Sequence, residues 1–197
     1  HKAIRRQRQM CIRDRAPTIT PDEITEEMLS KYQCIYIEGY LLVNEPLVRS
    51  TMEKAKKLGL KVALDLSNFN IVNAFKGMLE DIIPKYVDIL FSNESEAEAF
   101  TGQKAAEAVH TLSELVEVSL VTLGKEGALI GSHGQFYSVP AEGGKPVDTT
   151  GAGDNFAAGF LYGQSIGASL VQSARIGSML AGYVIDVVGP EIPYDKW

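Results

Sequence analysis

The feature that most constrains the fold of this chain is a regular alternation of short apolar runs with segments of helical spacing. "CIYIEG", from Cys34, reads as a strand ending at Glu38 and Gly39. "NEPLVRSTMEKAKKLG" follows, with Asn44 as cap, Leu47, Met52 and Ala55 at helical spacing, and Gly59 as terminator. "KVALDL" is the next strand, ending in Asp65. The spacing then predicts a helix over residues 71–83, stopping before Pro84, the strand "VDILFS", and a helix opening at Asn93. Another helix over 105–116 leads into "SLVTLG", a fourth strand. Upstream, Thr20 as cap, Pro21 at the first helical position and Glu23 three residues after the cap predict one more helix start. Strand and helix in turn imply an α/β fold, a mostly parallel sheet with helices on both faces.

The pattern changes near the end. "GALIGSHGQFYSVP" reads as two short strands around a Ser-His-Gly turn, an antiparallel hairpin at the sheet's edge. His133 in that turn and His110 on a helical face are read as solvated residues. Two helices, over about 151–166 and 168–187, close the chain.

Composition narrows the function. The 197 residues are 45% hydrophobic and 22% charged, with a net charge of −6. That balance opposes a nucleic-acid surface and favours a small-molecule ligand. Cys11 and Cys34 lack metal-type spacing and only three histidines occur, so neither a disulfide framework nor a zinc site is expected. No apolar run approaches the roughly 18 residues of a membrane span, and a cytoplasmic chain is expected. Residues 1–15 stand apart, with six basic side chains against Asp14 alone, and the remainder carries 13 basic and 24 acidic residues. "RQRQMCIRDR" resembles translated adapter sequence, so residues 1–15 are expected to lie outside the native fold.

In an open α/β sheet, ligands bind beyond the carboxyl ends of the strands. Here those ends carry Glu38, Asp65, Asn93 and Thr122 to Gly124, although each also suits a helix cap or a turn. One stretch says more. In "VDTTGAGDNFAAGF", a helix starting at Gly151 would direct the amides of Gly151, Ala152 and Gly153 outward, with the positive end of the helix dipole behind them. Such a site holds phosphate or a developing oxyanion. Asp154, in the first turn, stands ready to take a proton from an alcohol, or it serves only to stabilise its helix. No Gly-x-x-x-x-Gly-Lys-Ser/Thr occurs, and "GAGDNF" lacks the third Gly of the dinucleotide fingerprint. Gly143, Gly144 and Lys145 read as a flexible loop from which Lys145 could reach a phosphate.

"DTTGAGD", residues 148–154, resembles the C-terminal signature of the ribokinase-like (PfkB) family of carbohydrate and nucleoside kinases. "NESE" is similar to the family's Asn-x-x-Glu element and "TLGKEG" to its Thr-x-Gly-x-x-Gly segment. The resemblance implies a ribokinase-like three-layer α/β/α fold and in-line transfer from Mg-ATP, with Asp154 as base and Gly151, Ala152 and Gly153 as anion hole. It also implies that Asn93 and Glu96 place Mg²⁺ through water, and that Thr122, Gly124, Gly127 and Thr150 serve the nucleotide. Ser178, Ala181 and Val184 would flank the adenine. A K⁺ ion on backbone oxygens near Asp148 and Gly189 is a further implication.

The family's substrate-receiving sheet, Gly-Gly motif and β lid do not appear before Thr18. Residues 16–197 are therefore expected to be the C-terminal part of one kinase domain, weak or inactive alone, with a homodimer through the lid as an expectation for the full-length protein. "IYIEGYLLVNEPLV", "LDLSNFN" and "VVGPEIPYDKW" look closest to bacterial adenosine kinases within the family. A nucleoside acceptor, adenosine first, thus stands ahead of ribose or fructose. A non-catalytic ATP-binding module remains the third reading.

Overall fold

The computed structural model describes residues 18–143 and 146–192. The basic segment, Cys11, Gly144 and Lys145 lie outside the described residues. Among the described residues the paired strands follow one another in chain order, and the chain divides into two compact units, 1–90 and 91–197. Among the described residues, no helix is long and apolar enough to cross a membrane.

In the first unit, β1 (Cys34–Glu38) pairs in parallel with β2 (Lys61–Asp65), Glu38 opposite Asp65. The helix expected from Pro21 is split. The Thr20–Glu23 pair forms, with the Thr20 amide donating to Glu23 Oε2 at 2.6 Å, but it closes only the 3₁₀ turn Pro21–Glu23. Ile24 leaves helical geometry, and Thr25, a second cap, starts α1 (Glu26–Leu29) by accepting from the Met28 amide. Helix α2 (Glu45–Lys57) opens as expected, Asn44 Oδ1 accepting from the Leu47 amide, and buries Leu47, Met52 and Ala55.

The single helix expected over 71–83 is instead two, α3 (Phe69–Ala74) and α4 (Lys76–Tyr86), with Pro84 inside the second. Proline forfeits one backbone bond in the last turn. The burial of Leu79, Ile82, Ile83 and Tyr86 holds that turn helical nonetheless. Beneath β2, the buried Asp88 carboxylate accepts from Lys56 Nζ at 2.8 and 2.9 Å and from the Val62 amide at 2.7 Å. Burial and this carboxylate push the Cys34 thiol up, which keeps it protonated at neutral pH.

In the second unit, β3 (Ile89–Asn93), which runs through the boundary, is followed by α5 (Glu94–Thr101), α6 (Ala105–Ser113) and β4 (Val118–Thr122). The hairpin β5 (Ala128–Ser132) and β6 (Gln135–Val139) is antiparallel, as is the β4–β5 pair. His133 and Gly134 both have positive φ, the requirement of a two-residue type I′ turn, and both histidines are exposed, His110 lying against the Phe136 ring. Helices α7 (Ala152–Ser165) and α8 (Leu170–Ile185) complete the unit. Phe160 of α7 is fully buried and meets Phe91 of β3 edge to face at 5.6 Å.

Candidate active site

Helix α7, like α4 and α6, begins without a side-chain cap, and among the described helices it alone starts from a left-handed residue. Asn44, Asn93 and Ser169 cap α2, α5 and α8 with their side chains, whereas α7 starts from Gly151 in the left-handed region at φ +79° with no side-chain cap. Glycine is required there twice over, because a β-carbon would also lie 2.8 Å from Pro190 Cβ. The helix's first turn is thus left open to a ligand. The expected set of three outward amides is corrected in one member: the Ala152 amide donates to the Thr149 carbonyl at 3.2 Å. Gly153 and Asp154, both exposed, carry the first-turn amides instead.

The loop before the helix is held by Asp148. Its Oδ1 accepts from the Thr150 amide at 3.0 Å and the Thr150 hydroxyl at 2.7 Å, and its Oδ2 accepts from the Gly189 amide at 3.0 Å. These donors hold the carboxyl below the ordinary aspartate range, the Thr150 hydroxyl contributing most. Thr150 therefore turns toward Asp148. With the Asp148 carboxylate engaged by three donors, a cation nearby would need backbone oxygens.

A cavity of about 350 Å³ opens beside this helix start. The end of β4 brings Thr122 to it, the turn after β4 brings Gly124 and Gly127, α7 brings Ala152 and Gly153, and α8 brings Ser178 and Ala181. Its walls are mostly small and apolar, with Thr122, Lys125, Glu142, Thr149 and Ser178 as polar members. Ser178 is only 5% exposed. Val184 is fully buried away from the cavity, and Ile185 lines it instead, a correction of one residue in helical phase.

Asn93 and Glu96 do not line the cavity. They form a capping box on α5: Glu96 Oε2 accepts from the Asn93 amide at 2.8 Å, Glu96 Oε1 from Asn93 Nδ2 at 2.7 Å, and Asn93 Oδ1 from the Glu96 amide at 3.0 Å. The Thr122 hydroxyl donates to the Ser92 carbonyl at 3.3 Å, which sets the end of β3 beside the cavity's rim. All three side-chain oxygens of the Asn93–Glu96 pair thus already accept hydrogen bonds within this box, and Glu96 is buried. Among the described residues no cluster of three His, Cys, Asp or Glu residues forms a direct metal site. Asp65, at the other expected strand end, accepts from the Tyr36 hydroxyl and the Ser67 amide within the first unit.

Glu142, Phe156 and Gly182, outside the motifs read from the sequence, also line the cavity, as does Gly143, which the sequence placed only in a flexible loop. Gly143 is no mere flexible loop: it lies against Gly182. The signal for Gly182 was present, since positions 178, 181, 182 and 185 share one face of α8.

A family model described as pfkB family carbohydrate kinase matches residues 7–197, and the chain belongs to that family. It is 31% identical over 194 residues to an adenosine kinase from Saccharomyces cerevisiae, covering 90% of this chain and 57% of that protein. Among solved structures it is similar to a probable sugar kinase protein from Rhizobium etli (TM-score 0.86, 30% identity, 91% of this chain and 56% of that one). It is equally similar to the adenosine kinase from Sinorhizobium meliloti (TM-score 0.85, 30% identity, 90% and 56%). The fold is ribokinase-like α/β, and the chain spans a little over half the length of these relatives.

Proposed function

We propose that the protein is an ATP-dependent phosphotransferase that moves the γ-phosphate of Mg-ATP to a primary hydroxyl of a nucleoside, with adenosine as the leading acceptor. The observation that carries this reading is the uncapped start of α7 beside a largely apolar cavity, with the exposed Asp154 in the helix's first turn. In this reading the adenine lies between Ser178 and Ala181 of α8 and the Gly124–Gly127 turn. The first-turn amides of α7 offset charge on the transferring phosphoryl group. Asp154 accepts the proton of the acceptor hydroxyl as the new oxygen–phosphorus bond forms and the bond to the β,γ-bridging oxygen breaks, leaving ADP. Mg²⁺, organised through water by Asn93 and Glu96, would neutralise phosphate charge, and any K⁺ would sit on backbone oxygens near Asp148 and Gly189.

A sugar acceptor is the second reading, favoured by the likeness to the Rhizobium etli protein. Against it, sugar kinases of the family more often carry Asp-x-Asn-x-Arg where this chain has Asp65-Leu66-Ser67-Asn68-Phe69. ADP release from the full-length protein with adenosine, ribose and fructose separates the two. Preference for adenosine supports the nucleoside reading, and the reverse order rejects it. Mg-ATP binding without transfer to any acceptor would leave an ATP-binding module.

A further inference from the structure

We infer that Gly182 of α8 is a positioning residue for the nucleotide, because its backbone contact with Glu142 and Gly143 sets the far wall of the cavity. The inference rests on the cavity being the nucleotide site. Three of the residues lining the cavity, Glu142, Gly143 and Gly182, meet backbone to backbone. A β-carbon at 182 would run into the Glu142 carbonyl, lying 2.7 Å from its carbon and 3.0 Å from Gly143 Cα. Seen from the other side, a β-carbon at 143 would lie 2.7 Å from Gly182 Cα, and Gly143 also has φ +116°, a conformation that side chains rarely adopt. The contact therefore needs glycine at both positions.

The same strand of chain is clamped from its other side. A β-carbon at Gly127, which has φ +102°, would meet the Val139 carbonyl and lie 2.8 Å from the Ala141 nitrogen. Residues 139–143 are thus seated between the turn after β4 and helix α8, and both seats form part of the cavity. What yields to a side chain at 182 is the exposed Glu142–Gly143 segment, not the core. The wall moves outward while the helices stay packed. Contact along a flat ligand is lost on one face, since dispersion falls steeply with a gap of even an ångström.

Gly163 supplies the control. A β-carbon there would lie 2.6 Å from Ser173 Oγ, within the α7–α8 contact, and Gly163 does not line the cavity. Equilibrium titration of the chain with Mg-ATP, by calorimetry, would compare wild type, Gly182→Ala, Gly143→Ala and Gly163→Ala, with thermal unfolding of each. The expected result is at least a fivefold rise in Kd for the first two variants with little change in Tm, and a lowered Tm with unchanged Kd for Gly163→Ala. Wild-type Kd in a folded Gly182→Ala overturns the inference alone. If that variant fails to fold, wild-type Kd in Gly143→Ala overturns it equally. No binding by the wild type would overturn the nucleotide reading and the inference with it.

Discussion

At the scale of single residues, two aspartates six positions apart do different work. Asp148 is a structural acceptor whose carboxyl is held low by Thr150 and Gly189. Because its folded value lies below the unfolded one, what it contributes is complete above the ordinary aspartate value and lost as pH falls through the lowered one. The Thr150 and Gly189 amide resonances should therefore titrate with a midpoint below that of a free aspartate and become insensitive to pH in Asp148→Asn. A midpoint at the ordinary value would contradict the assignment. Asp154, exposed in the first turn of α7, has no such partners among the hydrogen bonds of that loop. If Asp154 is the base of the proposed transfer, Asp154→Asn should leave Mg-ATP affinity nearly unchanged and lower kcat of the full-length protein by about 10²–10⁴-fold, the usual share of a general base. A strong fall in affinity would make Asp154 structural or metal-binding.

At the scale of elements, the close approach of α7 and α8 depends on residues without side chains. A β-carbon at Gly177 would lie 2.6 Å from the Phe156 carbonyl, and one at Gly159 would lie 2.8 Å from Gly177 Cα. Gly177→Ala gains helix propensity yet should destabilise the protein by about 1–3 kcal/mol, measured by chemical denaturation, because the crowding is backbone against backbone. A stability equal to wild type would show that the helices slide freely. In the first unit, Lys56→Met should cost about 1–3 kcal/mol, since it removes two hydrogen bonds from the buried Asp88 carboxylate. Unchanged stability would mean that Lys61, whose Nζ lies 3.6 Å from Asp88 Oδ1, and the Val62 amide suffice.

Local chemistry explains what the sequence disclosed of these elements. Caps written as Asn44, Asn93 and Thr20, and the paired positive φ of His133 and Gly134, depend on neighbours within a few residues. The passage of α4 through Pro84 depends on burial of Ile82 and Tyr86, which no local pattern reports. The same divide runs through the candidate site. Thr122, Gly124, Gly127, Ala152 and Gly153 fall in contiguous motifs, whereas the Gly143–Gly182 contact joins positions far apart in sequence and is set by packing alone.

At the scale of the whole molecule, an acidic chain of the pfkB family presents a largely apolar cavity at the start of an uncapped helix. In the proposed function this cavity receives the nucleotide. The most direct measurement is a heteronuclear NMR titration of the isotopically labelled chain with Mg-ATP, following the backbone amides. Saturable shifts are expected to centre on Gly124, Gly127, Gly153, Ser178 and Gly182, with the β5–β6 turn at His133 unaffected. Shifts centred elsewhere, or none at saturating Mg-ATP, would contradict that function.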